Sequence, residues 1–333
     1  MSASALDVLA LGNAIVDVLA RAEDDFLAGH GMNKGGMALI DEARAEAIYG
    51  AMGPGTEVSG GSAANTAVGI AGLGARAGFI GKVKADGLGT VFGHDIRAAG
   101  VAYATPAAAA GPATARCLIL VTPDGERTMN TFLGAAQDLT EADIDPATVE
   151  SAAVTYLEGY LWDPPAAKAA FLKAAKIAHG AGRKVALTLS DSFCVDRYRS
   201  EFLDLIRSNT VDLVFCNEAE LKSLYETADF DTALVALRQD AAEAVVTRSE
   251  KGASFVTAGA VVSVPAVPVE RVVDTTGAGD LFAAGFLAGA SRGLDPATSL
   301  RLGALAAGEI ITQLGARPQR NLLDLAREAG LLS

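Results

Sequence analysis

The apolar positions of this chain form two kinds of run, short stretches of β-branched and aliphatic residues and longer ones rich in Ala and Leu at helical spacing. Residues 7–12 (DVLALG) read as a strand, and residues 15–20 (IVDVLA) continue it past Asn13, with Asp17 among apolar neighbours. Residues 63–73 predict a helix entered through Gly60-Gly61-Ser62. Residues 79–83 predict a strand, and residues 92–99 a helix stopped by Gly100. The second half repeats the order: strand 154–157, helix 166–181, strand 184–189, helix 199–207, strand 213–215. Such alternation predicts an α/β fold with a central, mainly parallel sheet flanked by helices.

Two segments break the alternation. Residues 37–40 form a short apolar run, and residues 115–122 and 127–132 read as a hairpin closed by Pro123-Asp124-Gly125-Glu126. Antiparallel strands inserted in an α/β chain predict a small sheet standing off the core, which over an active site acts as a lid. No Pro/Gly/Ser linker and no repeat divides the chain, so residues 1–333 are read as one domain. Its lid is drawn from about 13–45 and 112–135 and its core from the remainder.

Half of the 333 residues are hydrophobic, which is ample for a large core. The net charge of −13 argues against a nucleic-acid partner, because such affinity rests on cations neutralising phosphates. Cys117, Cys194 and Cys216 are scattered and odd in number, which predicts buried free thiols. No basic leader and no membrane-length apolar run is present, so the cytoplasm is the expected location.

The candidate chemistry centres on Asp274-Thr275-Thr276-Gly277-Ala278-Gly279-Asp280, which lies between the apolar residues 260–264 and a long Ala/Leu/Gly helix. Glycines at 277 and 279 permit tight turns, so that consecutive amides at a helix N-terminus converge on a phosphate. Asp280, at the start of that helix, is placed to take a proton from an alcohol. Ser59-Gly60-Gly61-Ser62-Ala63-Ala64-Asn65 can hold a polyol through Gly60, Gly61 and Asn65. Asp17 and Asn13, four residues apart on one strand face, can grip adjacent hydroxyls. Asn217 and Glu220 follow a strand at its carboxyl end, where Glu220 can hold metal-bound water. Thr247, Ser249 and Gly252 form another strand-to-turn segment. The same residues also satisfy plainer roles, a Gly-Gly turn before Ser62 and an Asn-capped helix with a first-turn Glu. The phosphate-binding pattern Gly-x-x-x-x-Gly-Lys-Ser/Thr is missing, and the glycines of residues 72–78 follow a helix, as a C-terminal turn does.

Gly60-Gly61-Ser62-Ala63-Ala64-Asn65, then Asn217-x-x-Glu220, then residues 274–280, in this order, resemble the ribokinase-like, or PfkB-type, sugar and nucleoside kinases over nearly the whole chain. The resemblance implies Asp280 as base and Gly277, Ala278 and Gly279 as anion hole. It also implies Mg²⁺ and its waters organised by Asn217 and Glu220, and ATP lined by Thr247, Ser249 and Gly252, with Ser249 where such kinases often carry Gly. Gly12-Asn13-Ala14-Ile15-Val16-Asp17, Leu189-Ser190 followed by Phe193, and Glu126-Arg127-Thr128 resemble the adenosine kinase branch. By that resemblance Asp17 holds ribose hydroxyls with added contacts from Asn65 and Gly61, and Arg127 swings in with the lid to steady the transferring phosphoryl group. A purine slot draws on Met37, Leu39, Leu133 and an aromatic from residues 160–162, with Cys117 on the lid nearby. Tyr160 and Leu161 stand where the branch often has two phenylalanines.

The expectation is ATP-dependent phosphorylation of the 5′-hydroxyl of adenosine. A sugar kinase acting on ribose, fructose or a keto-sugar acid is the alternative, and a silent nucleoside-binding protein is the alternative of another class. ATP and Mg²⁺ are the expected cofactors. Ribokinase-like enzymes differ in activation by K⁺ and in oligomeric state, and a monomer is expected here, with no nucleic-acid or membrane partner.

Overall fold

Apolar runs bounded by Gly, Asp and Pro become fourteen strands in two sheets in the computed structural model, which describes residues 5–333. Residues 1–4, part of the segment read above for a leader, lie outside the described residues. In chain order the strands are β1 (Leu6–Leu11), β2 (Ile15–Arg21), β3 (Met37–Leu39), β4 (Gly55–Gly60), β5 (Ala77–Ile80), β6 (Ala102–Tyr103) and β7 (Ala115–Val121). They continue as β8 (Arg127–Phe132), β9 (Ala152–Glu158), β10 (Lys184–Thr188), β11 (Leu213–Asn217), β12 (Glu243–Thr247), β13 (Ala253–Thr257) and β14 (Val261–Val264).

The large sheet has nine strands in the order β14-β13-β12-β11-β10-β9-β1-β5-β6, parallel except for the antiparallel pairs β12–β13 and β13–β14. Its central strands are buried on both faces. In β1, Val8 and Ala10 join one apolar cluster with the helices Ser62–Gly72, Ala278–Ser291 and Pro296–Ile310. Leu9 and Leu11 join the other with Pro165–Gly180 and Ser192–Arg207. A strand covered on both faces reads as a continuous apolar run, which is why these segments are legible in the sequence.

The five-stranded sheet, in the order β3-β8-β7-β2-β4, corrects two expectations. Residues 15–20 do not extend the first strand. The chain makes its last backbone-to-backbone bond to the large sheet at Gly12, whose amide donates to Ile80, and then crosses to pair with β4 and β7. Residues 55–60, expected in the core, are the edge strand β4 beside β2. Their Gly/Thr/Ser composition hides the strand, because the apolar pattern is missing. The hairpin β7–β8 is antiparallel as its Asp-Gly turn predicts.

Two helices start earlier than the apolar pattern suggests, each at an aspartate cap. Asp86 accepts from Gly89 at 2.8 Å to open Gly87–Ala98, and Asp191 accepts from Cys194 at 2.6 Å to open Ser192–Arg207. The latter kinks at Tyr198, where φ is −120° and ψ is 20°, and this break concealed its first half. Among the described residues no helix is long and apolar enough to cross a membrane.

From β9 the sheet order runs outward through β10, β11 and β12, and from β1 it runs the other way through β5 and β6. The carboxyl ends of β1 and β9 therefore flank the point where strand order reverses. Ligands of open α/β sheets bind at such a point, outside the carboxyl ends.

Candidate active site

At the switch point, Glu158 ends β9 and Asn13 follows β1. The buried Glu158 carboxylate accepts the Asn13 amide side chain at 2.7 Å, the Asn13 backbone at 3.2 Å and the Ala63 backbone at 2.8 Å. One acid thus ties the ends of two strands to the first turn of Ser62–Gly72. Burial pushes its carboxyl up to about 7 against these donors. Asn13 lies in the loop between β1 and β2 rather than on one strand face with Asp17, since the crossing to the second sheet intervenes. Both residues nevertheless line the same cavity.

That cavity measures about 910 Å³ and lies between the carboxyl ends of the large sheet and the inner face of the second. Its polar floor includes Asp17, Ser62, Asn65, Glu158 and Asp280. Thr275, Thr276, Gly277 and Gly279 form one side, and Asn217, Glu220 and Thr247 lie further along. Its apolar wall draws on Met37, Leu39, Ile119, Met129 and Leu133 from the second sheet and its flank. Tyr160 and Phe193, 40 % and 73 % exposed, face it from the core side, so the mouth is open.

Gly61 and Gly277 explain their sequence positions. Gly61 has φ +98°, and a Cβ there would stand 2.2 Å from the Asn13 carbonyl. Gly277, at φ +78°, would place one 2.8 Å from Ala316. Each turn releases a helix whose first residues face the cavity. Asp280, in the first turn of Ala278–Ser291, accepts from the Ser62 hydroxyl at 2.6 Å and the Asn65 amide at 3.0 Å. Burial raises its carboxyl, opposed by these two donors and by Arg317. Asp17 is pushed up to about 6 by burial, against Arg317 and Arg127.

The glycine loop is braced from within. Asp274 accepts from the Thr276 amide at 3.0 Å and hydroxyl at 2.7 Å and from the Gly315 amide at 2.8 Å. The Ala278 amide donates to Thr275 at 3.2 Å, so of the three expected anion-hole residues only Gly277 and Gly279 line the cavity. Arg127 is paired with Asp274 and donates to Thr276 at 3.1 Å. Asn217 and Glu220 form a reciprocal cap: the Asn217 amide donates to Glu220 at 3.0 Å and the Glu220 amide to Asn217 at 2.9 Å. Burial lifts Glu220 to about 7.

Several expected contacts lie elsewhere. Ser249 is exposed and Gly252 is buried against Val264 of β14, and neither lines the cavity. Of residues 160–162, only Tyr160 reaches it. Leu161 is core, and the buried Trp162 donates to Glu201 at 2.8 Å. Gly60 is not a lining residue and abuts Asp17 instead. Cys117 does line the cavity, with its thiol pushed up to about 12 by burial. All three cysteines are free and buried.

Three residues escaped the sequence reading. Ser62 reads only as a helix start, and Glu158 gives no more than a lone acid after the predicted strand 154–157, a weaker signal than Asp17, which is set within an apolar run. Arg317, which donates to the Ser59 hydroxyl at 2.8 Å and whose charge acts on both Asp17 and Asp280, gives no local signal.

Comparison with known proteins agrees with this architecture. Residues 45–321 match the model of the pfkB family carbohydrate kinases. The chain is 55 % identical to a crystallised adenosine kinase from Sinorhizobium meliloti, over 97 % of this chain and 99 % of that one, with a TM-score of 0.90. It is 53 % identical to a probable sugar kinase from Rhizobium etli CFN 42, over 99 % and 100 % of the two chains, with a TM-score of 0.92. It is also 27 % identical to the adenosine kinase of Saccharomyces cerevisiae, over 92 % of this chain and 95 % of that one. With a ribokinase-like sheet, a cavity at its switch point and a family match across most of its length, this chain is a kinase and belongs to the pfkB family of carbohydrate kinases.

Proposed function

We propose that the chain transfers the γ-phosphoryl group of ATP to the 5′-hydroxyl of adenosine. The observation that carries the reading is the two-sided cavity. Asp17 and Asp280 share a half-buried polar floor under an apolar wall that includes Met37, Leu39, Ile119 and Leu133. A nucleoside has this polarity, with hydroxyls at one end and a flat base at the other. The likeness at 55 % identity to the Sinorhizobium meliloti adenosine kinase supports the same acceptor.

In this reading Asp17 receives the ribose hydroxyls, and Asp280, ionised by its donors, takes the proton of the attacking hydroxyl. The amides of Gly277 and Gly279, at a helix N-terminus, stabilise charge on the moving phosphoryl group, and Arg127 adds a cation as the second sheet closes as a lid over the cavity. The oxygen donors at Glu220, Asn217 and Thr247 suit a hard divalent cation. Each Glu220 oxygen already takes one hydrogen bond from Asn217, which leaves lone pairs for metal-bound water. Mg²⁺ held there would neutralise phosphate charge. Three free thiols fit a reducing, cytoplasmic setting.

The test is ADP release with ATP and Mg²⁺ across adenosine, inosine, guanosine, ribose, fructose and 2-keto-3-deoxygluconate, with Asp280→Asn as blank. Turnover greatest on adenosine is expected. Preference for a free sugar would favour the second reading, to which the likeness to the Rhizobium etli probable sugar kinase points. Exchanging K⁺ for Na⁺ in the same assay reads monovalent-cation dependence, and light scattering reads the expected monomer.

A further inference from the structure

Asp280 is held at both oxygens. Ser62 donates to Oδ1 at 2.6 Å, and Asn65, one turn along the same helix, donates to Oδ2 at 3.0 Å. The two donors are unequal. Asn65 is buried, and its Oδ1 already lacks a partner, so turning its amide away would strand a second polar atom. Ser62 is half-buried on the cavity wall, and its hydroxyl leaves Asp280 by rotation about one bond. A hydroxyl offered to this carboxylate from the cavity side is chemically what an acceptor alcohol offers.

We propose that Ser62 is a positioning residue that holds the place of the acceptor hydroxyl in the substrate-free enzyme, keeping Asp280 ionised and oriented until the acceptor takes over the same oxygen. The proposal deepens the reading above and rests on Asp280 being the base. The two helices are held together independently of this bond: a Cβ at Gly69 would lie 2.7 Å from both Leu281 and Ala284, so backbone proximity sets where Ser62 and Asp280 meet. Removing the hydroxyl leaves that packing in place.

The other groups facing Asp280 are unchanged by such a substitution. They are Arg317 from the C-terminal segment, Asp17 from β2, Glu158 and Tyr156 from β9, and Tyr160 beyond it. Burial pushes the Asp280 proton affinity up, while Ser62, Asn65 and Arg317 push it down. Loss of Ser62 therefore raises it further, and activity that needs the ionised base falls away at a higher pH.

The experiment compares pH profiles of kcat/KM and kcat for the wild type and Ser62→Ala, with whichever acceptor the wild type turns over. The acid limb of kcat/KM, which reports the free enzyme, should move up by about one pH unit. The acid limb of kcat should stay put, because the bound acceptor supplies the missing donor, and Ser62→Thr should restore the wild-type profile. A kcat/KM limb that does not move, or both limbs moving together, overturns the proposal. A ¹³C carboxyl titration of the substrate-free protein, with Asp280 assigned by difference against Asp280→Asn, gives the same reading without turnover. An Asp280 titration unmoved in Ser62→Ala overturns the proposal even if every acceptor fails, whereas a shifted titration with no turnover on the panel counts only against the proposed acceptor.

Discussion

Arg127, on the hairpin of the five-stranded sheet, is ion-paired with Asp274 at the head of the glycine loop, so that one contact clasps the two sides of the cavity. Both side chains are almost fully buried, and the Nε and second terminal nitrogen of Arg127 have no partner. Arg127 does not line the cavity, so this unused edge of the guanidinium meets an anion on the neighbouring amides only once the side chain swings inward. Replacing Arg127 by Ala should lower kcat by about 100-fold, the usual cost of one transition-state donor. It should also destabilise the fold by about 3 kcal/mol, since Asp274 is left buried without its countercharge. Steady-state kinetics with a thermal melt separates the two effects.

Asp280→Asn keeps the shape of the carboxylate and removes its basicity. Turnover should fall by at least about 100-fold, while calorimetry should find adenosine binding largely intact. Retained turnover would remove Asp280 as the base.

Stability should decline as pH rises through the weakly acidic range. Burial lifts Glu158 and Glu220 to about 7 and Asp17 to about 6, so between their ordinary values and these the folded state holds protons that the unfolded chain has released. Stability falls with pH wherever the folded state binds more protons. Below that window the opposite sign takes over, because Glu218 and Asp124, each lowered to about 2 by hydrogen-bonded partners, must be protonated to unfold the chain by acid. Denaturant melts should therefore peak near pH 4, at the ordinary carboxyl values, and Glu220→Gln should flatten the decline toward pH 7. An unchanged slope in that variant would contradict the assignment.

Gly61→Ala should cost about 1–3 kcal/mol, since φ +98° strains any other residue and the new methyl meets the Asn13 carbonyl. Relief of that clash moves either Asn13 or the start of Ser62–Gly72. The expected kinetic sign is a raised KM for the acceptor, with KM for ATP nearly unchanged.

How much of this was legible depends on how local each signal is. The order of strand, glycine loop and helix around Asp280 sits in one stretch of chain, and the buried strands of the large sheet announce themselves as apolar runs. The cap formed by Asn217 and Glu220 spans three positions and reads directly. Ser62 meets Asp280 across 218 positions, Glu158 meets Ala63 across 95 and Arg317 meets Ser59 across 258, and no periodicity records such distances. Strand β4 was missed for another reason: its Gly, Thr and Ser side chains gain their place from pairing with β2, not from an apolar face.

The placement of β1 also bears on how the chain finds its fold. This strand forms near the N-terminus, yet its neighbours are β5, with Val8 opposite Ala77, and β9, with Val8 opposite Val154. The centre of the sheet therefore cannot close until roughly half the polypeptide has been made, and pairings this distant in sequence slow folding. Until then LDVLAL is an unpaired apolar strand, the segment of a nascent chain most in need of protection from self-association.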